Sequence, residues 1–147
     1  MKGKIYIIPN LLGECQTQLV IPEEVINRIK QINHFVVENI RSARRFLIKA
    51  GHPLKPEEIR FYELNKYNPG SGIDEFIRLC KSGHDLGVLS EAGIPGIADP
   101  GSELISAGHR ERVDIVPLSG PSSIFLALAA SGLNGQQFVF HGYLPVK

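Results

Sequence analysis

The sequence predicts an α/β domain with a mainly parallel sheet flanked by helices. Two observations carry that prediction. Short apolar, β-branched runs alternate along the chain with segments that repeat apolar residues at helical spacing. Loops rich in glycine, proline and polar residues follow the strand-like runs, as expected where strands feed into helices. With right-handed crossovers, every such loop emerges on one edge of the sheet.

The elements follow in order. Ile5-Tyr6-Ile7-Ile8 reads as a first buried strand, closed by Pro9-Asn10. Pro22 opens a helix with Glu23 and Glu24 in its first turn and Val25, Ile26, Ile29 and Ile32 on one apolar face. Phe35-Val36-Val37 is the second strand, and Asn39 suits the N-cap of a helix that carries Ile40, Ala43, Phe46, Leu47 and Ala50 on one side. The other side of that helix is basic, with Arg41, Arg44, Arg45 and Lys49, and Gly51 ends it. Ile59 to Leu64 is a third strand, followed by a polar loop from Asn65 to Gly72. Ile73, Phe76, Ile77 and Cys80 mark the next helix, and Leu86 to Leu89 the fourth strand.

After that strand comes Ser90-Glu91-Ala92-Gly93-Ile94-Pro95-Gly96-Ile97-Ala98-Asp99-Pro100-Gly101. Glycine and proline are too frequent here for a helix or strand interior. In open α/β sheets, ligands bind outside the carboxyl ends of the strands, where glycines allow close approach to the backbone. A long connection without chemical purpose is the competing reading. Asp99-Pro100 reads as the entry to a short helix that Gly108 stops. Val113 to Pro117 is a fifth strand, and Ser119-Gly120-Pro121-Ser122 turns into a further helix with Pro121 in its first turn. That helix, Ile124 to Ala130, is apolar all round and is expected to be buried on more than one side. Phe138-Val139-Phe140 is expected as a last strand.

The chain has 147 residues, the size of one ordinary domain, with 16 Lys and Arg against 15 Asp and Glu. A net charge of +1 gives no support for bulk electrostatic attraction to nucleic acid, although a local patch remains open. Two widely spaced cysteines suggest reduced thiols in the cytoplasm, and no apolar stretch is long enough to span a bilayer. There is no G-x-x-x-x-G-K-[ST], no G-x-G-x-x-G after the first strand and no G-x-S-x-G. The five histidines show no ligand spacing, so no metal is expected. Glu38 is a carboxylate at the end of a buried strand with Arg41 one helical turn away. It is either a capping residue paired at the surface or a catalytic group.

Four motifs in order resemble a known family. They are Ser90 to Gly101, Val116-Pro117-Leu118-Ser119-Gly120-Pro121-Ser122, Ala130-Ser131-Gly132-Leu133 and Phe140-His141-Gly142-Tyr143-Leu144-Pro145. Together they resemble the tetrapyrrole-methylase-like methyltransferases, and within them the branch that methylates ribose 2′-hydroxyls of 16S ribosomal RNA. The resemblance implies a methyltransferase dependent on S-adenosyl-L-methionine, usually a cytoplasmic homodimer, with ribosomal RNA or the small ribosomal subunit as its partner and no membrane. It implies cofactor contacts at Pro9, Glu91, Ala92, Gly93, Pro95, Ile97, Asp99, Ser119, Gly120, Pro121 and Ser122. Glu38 and Arg41 become the candidate catalytic residues, Arg44 and Asn68 the candidate substrate contacts, and Arg41 with Arg44 or Arg45 the candidate hold on an RNA phosphate. Methylation of a tetrapyrrole or another small acceptor is the alternative within the same chemistry. A third reading is a cofactor-binding or dimerising module without activity of its own.

Two departures qualify the resemblance. The family's Glu-Asp-Thr-Arg after the second strand is Glu38-Asn39-Ile40-Arg41 here, and its polar stretch after the third strand is reduced to Asn68. In length, residues 1–143 correspond to the N-terminal domain of the family, and residues 144–147 to the start of a linker to a second domain.

Overall fold

A computed structural model describes residues 2–64 and 72–143. Its strands are β1 (Ile5–Ile8), β2 (His34–Val37), β3 (Arg60–Glu63), β4 (Leu86–Leu89) and β5 (Ile115–Pro117). Its helices are α1 (Glu23–Ile29), α2 (Ile40–Lys49), α3 (Ile73–Lys81), α4 (Ser102–Arg110) and α5 (Ser123–Ser131), with a 3₁₀ turn at Thr17–Leu19. The sheet order is β3-β2-β4-β1-β5, and every pair is parallel, as the alternation of strands and helices predicts.

The alternation of side chains along β1 divides the core in two. Tyr6 and Ile8 point to the face covered by Val25, Ile26 and Ile29 of α1 and by Ala43, Phe46 and Leu47 of α2. Ile5 and Ile7 point to the other face, covered by Phe76, Ile77 and Cys80 of α3 and by Leu104 and Ala107 of α4. Strands β1 and β4 are buried along their whole length, which is why both read as unbroken apolar runs rather than alternating ones. Gly87 sits between Ile8 and Phe35; a Cβ there would lie 2.6 Å from the Ile8 Cδ1 and 2.8 Å from the Phe35 Cδ1.

Chain direction sets where the loops meet. The connection after β1 leads toward β2, and the connection after β4 leads toward β5, so the two leave neighbouring strands in opposite senses. That reversal is the place where doubly wound sheets open a crevice for ligands.

Several local expectations are corrected. Helix α5 has no buried residue; Ile124 and Leu128 are half-buried, and Phe125 and Leu126 are exposed. Among the described residues no second layer covers its outer side, so an all-apolar helix stands half open. Phe138-Val139-Phe140 forms no strand, because no neighbouring strand offers it a ladder. Gly108 lies inside α4 rather than ending it, and it permits close packing: a Cβ there would come within 2.7 Å of the Ile115 Cδ1. Gly101, at φ 128°, takes the N-cap of α4, so Asp99-Pro100 precedes the helix instead of starting it. Pro121 likewise lies before the N-cap of α5, Ser122. Pro22 takes the N-cap position of α1, and Ile32 is buried beyond that helix's end. Asn39 caps α2 as expected, its side-chain oxygen accepting from the Ser42 N–H at 3.1 Å.

Candidate functional site

Three loops converge at the carboxyl edge of the sheet: the one after β1, the one after β4 and the one after β5. Asn10 holds the first two together. Its backbone N–H donates to the Gly93 carbonyl at 2.8 Å, and the Gly93 N–H returns a bond to the Asn10 carbonyl at 3.2 Å. Its buried side chain donates from Nδ2 to the carbonyls of Ser90 at 2.8 Å and Glu91 at 3.2 Å. The remaining acceptor, Oδ1, takes the Leu11 N–H at 2.8 Å. A buried amide with this many partners specifies one arrangement of the two loops. The third loop closes on the first at Gly120, where a Cβ would lie 2.3 Å from the Pro9 ring.

The loop after β4 is held in conformations that favour glycine. Gly93, Gly96 and Gly101 have φ of 68°, 84° and 128°, and Ala98, at 62°, shares the left-handed region. Gly93 is buried where the first and third loops meet: a Cβ on it would lie at contact distance, 3.4 Å from the Leu12 Cδ2 and 3.8 Å from the Pro121 carbonyl oxygen. Pro95 is buried, Ile97 is exposed, and Ser119 is exposed beside the half-buried Gly120, Pro121 and Ser122. Asp99 is half-buried and has a partner. The expected cofactor residues thus lie on the three loops at one edge.

Glu38 belongs to the same edge. Its backbone N–H donates to the Leu89 carbonyl at 3.1 Å, and its carboxylate accepts the Glu91 N–H at 3.2 Å. The Glu91 carboxylate in turn accepts from the Ser42 hydroxyl at 3.2 Å. The end of β2, the first turn of α2 and the loop after β4 are therefore linked by side chains. Arg41 is exposed in the first turn of α2. Arg44 turns the other way, its guanidinium carbon 5.6 Å from the centre of the Phe61 ring. Asn68 lies outside the described residues.

A cleft of about 420 Å³ opens beside this edge, between the loop after β1, the exposed side of α2 and the start of the loop after β4. Arg45 and Lys49 line it together with Leu11, Leu12 and Ala92. Sequence reasoning left Asn10 out of the site, although an asparagine directly after a buried strand was the available signal. It offered Arg44 or Arg45 as a phosphate contact beside Arg41, and of the two only Arg45 lines the cleft. Among the described residues no group of three or more His, Cys, Asp or Glu is arranged to hold a metal ion. No helix of the described residues is long and apolar enough to cross a membrane.

No protein-family model matches this sequence. The chain is similar to curated proteins named ribosomal RNA small subunit methyltransferase I. The one from Streptococcus pyogenes is 32% identical over 145 residues, covering 99% of this chain and 48% of that protein. The one from Buchnera aphidicola is 31% identical over 145 residues with the same coverage. The one from Thermotoga maritima is 29% identical over 143 residues, covering 97% of this chain and 61% of that protein. The chain thus spans about half the length of the first two and three fifths of the third. The likeness first seen in the motifs from Ser90 onward extends over nearly the whole sequence: this chain is similar to the ribosomal RNA small subunit methyltransferase I proteins.

Proposed function

We propose that this protein takes part in methyl transfer from S-adenosyl-L-methionine to ribosomal RNA of the small subunit, at a ribose 2′-hydroxyl. The observation that carries the reading is the clamp of Asn10 on Gly93, which gathers three loops around a buried glycine in the left-handed region. The names of the relatives support the reaction class.

The residues at the edge fit such a cofactor. Gly93, Gly96 and Gly101 hold the left-handed turns of the loop after β4, and glycines in such a loop let a ligand approach the backbone closely. Gly93, Ala92, Pro95 and Ile97 would hold it from the loop after β4, Pro9 from the loop after β1, and Ser119 to Ser122 from the loop after β5. Bound there, the cofactor supplies an activated methyl group on a sulfonium. The chain's own task is positioning, which is where most of the rate of an in-line displacement comes from. Glu38 is the group assigned to accept or orient the ribose hydroxyl proton. Arg41 is assigned to the acceptor side.

The reading carries further assignments. Residues 1–143 form the N-terminal domain of a longer methyltransferase, and the protein works as a cytoplasmic homodimer. The two free thiols, Cys15 and Cys80, suit a reducing compartment. Phe125, Leu126, Phe138 and Val139 are exposed apolar residues that suit contact with further protein. The test is incubation with small ribosomal subunits and S-adenosyl-L-methionine carrying a labelled methyl group, followed by mapping of the labelled nucleotide. Label at a ribose 2′-oxygen supports the reading; label on a base or on no RNA overturns it.

A further inference from the structure

We infer that the cleft between α2 and the loop after β1 seats a nucleotide of the acceptor RNA, with Arg45 and Lys49 holding its phosphates. This rests on the reading above and deepens it: it selects Arg45 over Arg44, adds Lys49 and names the cleft that receives the nucleotide.

The cleft has three relevant features. Its α2 wall is formed by residues 42, 45, 46 and 49, the spacing of one continuous helix face. That face brings two cations to the cleft. Arg45 and Lys49 are exposed, and among the described residues neither has an ion pair or a side-chain hydrogen bond, so both are available to an anion. Glu91, an acidic side chain on the inner wall, is held by the Ser42 hydroxyl and keeps its negative charge. Glu14 on the opposite wall has the other sign, which leaves the basic side of the cleft on α2.

The second feature is size and lining. About 420 Å³ lies within the range of small-ligand sites, and Leu11 and Leu12 offer an apolar surface facing the cations. A nucleotide joins a base, whose flat faces suit apolar contact, to an anion, so it matches a cleft that offers leucines together with arginine and lysine. Phosphate contacts fix position and register.

The third feature is placement. Ala92 and Glu91 line the inner end of the cleft, and Glu91 donates its N–H to Glu38. A nucleotide held by Arg45 and Lys49 therefore lies next to the group assigned to the ribose hydroxyl. Arg44, one residue earlier, is turned onto Phe61 and does not line the cleft.

The experiment compares this chain with Arg45→Ala/Lys49→Ala and with a control, Arg78→Ala/Arg110→Ala, which removes the same charge from α3 and α4. Circular dichroism checks that all three are folded. Binding of a short fluorescein-labelled single-stranded RNA is followed by anisotropy across a salt series, and S-adenosyl-L-methionine binding by titration calorimetry. The expected result is RNA affinity about tenfold lower in the cleft variant and a log–log salt slope shallower by about 1.4, two phosphates at about 0.7 each. The control and the cofactor affinity stay unchanged. Unchanged RNA affinity and slope in the cleft variant, or no RNA binding by the parent chain, overturns the inference. Loss of cofactor binding in the cleft variant also overturns it, because the cleft would then belong to the cofactor. If the parent binds no cofactor while RNA binding depends on Arg45 and Lys49, the assignment of the cofactor to the loops of this chain fails and the phosphate site stands.

Discussion

Asn10 and Gly93 exchange two backbone hydrogen bonds across the carboxyl edge of the sheet, and the Asn10 side chain reaches two further carbonyls on the loop that holds Gly93. Four bonds from one residue thus tie the end of β1 to the loop after β4. Replacing Asn10 by alanine keeps the backbone pair but leaves the Ser90 and Glu91 carbonyls without their donor. The expected cost is about 1–3 kcal/mol, read as a lower urea midpoint. Cofactor affinity should fall further than this loss of stability alone accounts for, because the loop is no longer held in one geometry.

Gly120 makes the companion contact. With a Cβ there 2.3 Å from the Pro9 ring, Gly120→Ala must push the first and third loops apart. A proline ring cannot swing aside as a long side chain does. The expected destabilisation is about 1–3 kcal/mol, measured by urea denaturation, with weaker cofactor binding alongside.

Glu38→Gln separates charge from structure. Glutamine retains an oxygen that can accept the Glu91 N–H, so the urea midpoint should stay close to that of the parent. A proton-accepting carboxylate is lost, and methyl transfer to small subunits should fall by about 10²–10⁴. Turnover that survives the change removes Glu38 from the chemistry and leaves it as a residue that positions the loop.

The opposite edge of the sheet gives a pH prediction. Burial first, then the charges of His84 and Arg60, hold the His34 imidazole below its ordinary pKa of 6.5. Its ring also lies 3.1 Å from the Tyr62 hydroxyl. The unfolded chain therefore binds a proton at a pH where the folded chain does not, and stability drops as pH falls below about 6.5. The urea midpoint should decline from pH 7 to pH 5, and His34→Gln should flatten that decline.

Cys80 is completely buried between α3 and the sheet, and burial pushes its thiol up to about 11. A thiol that stays protonated is a poor nucleophile. Iodoacetamide at pH 8 should modify the partly exposed Cys15 in the folded protein and reach Cys80 only when the protein unfolds, as read by mass spectrometry.

How much of this was legible in sequence depends on what each residue needs to be read. β1 and β4 are buried on both faces, so their apolar runs announce themselves. The Asn39 cap is local and was readable for the same reason. Phe138-Val139-Phe140 has the composition of a strand, but strand preference expresses a fit to a half-buried pleated surface and needs a partner strand. Helix α5 shows the same limit: its composition says that it suits burial, not what would bury it. Asn10 looks like an ordinary turn residue until Gly93, 83 positions later, is seen beside it. Arg44 and Arg45 differ by about 100° around α2, and only the position of the first loop decides which of them faces the cleft.

The central claim is that the loop turning at Gly93 holds the cofactor. Titration calorimetry of S-adenosyl-L-methionine and S-adenosylhomocysteine into this chain and into Gly93→Val tests it most directly. Valine at φ 68° is strained, and its side chain would occupy the space between Leu12 and Pro121. The account predicts binding of both ligands to the parent chain and loss of both in the variant, with circular dichroism unchanged. Binding of equal strength to the two proteins would contradict it.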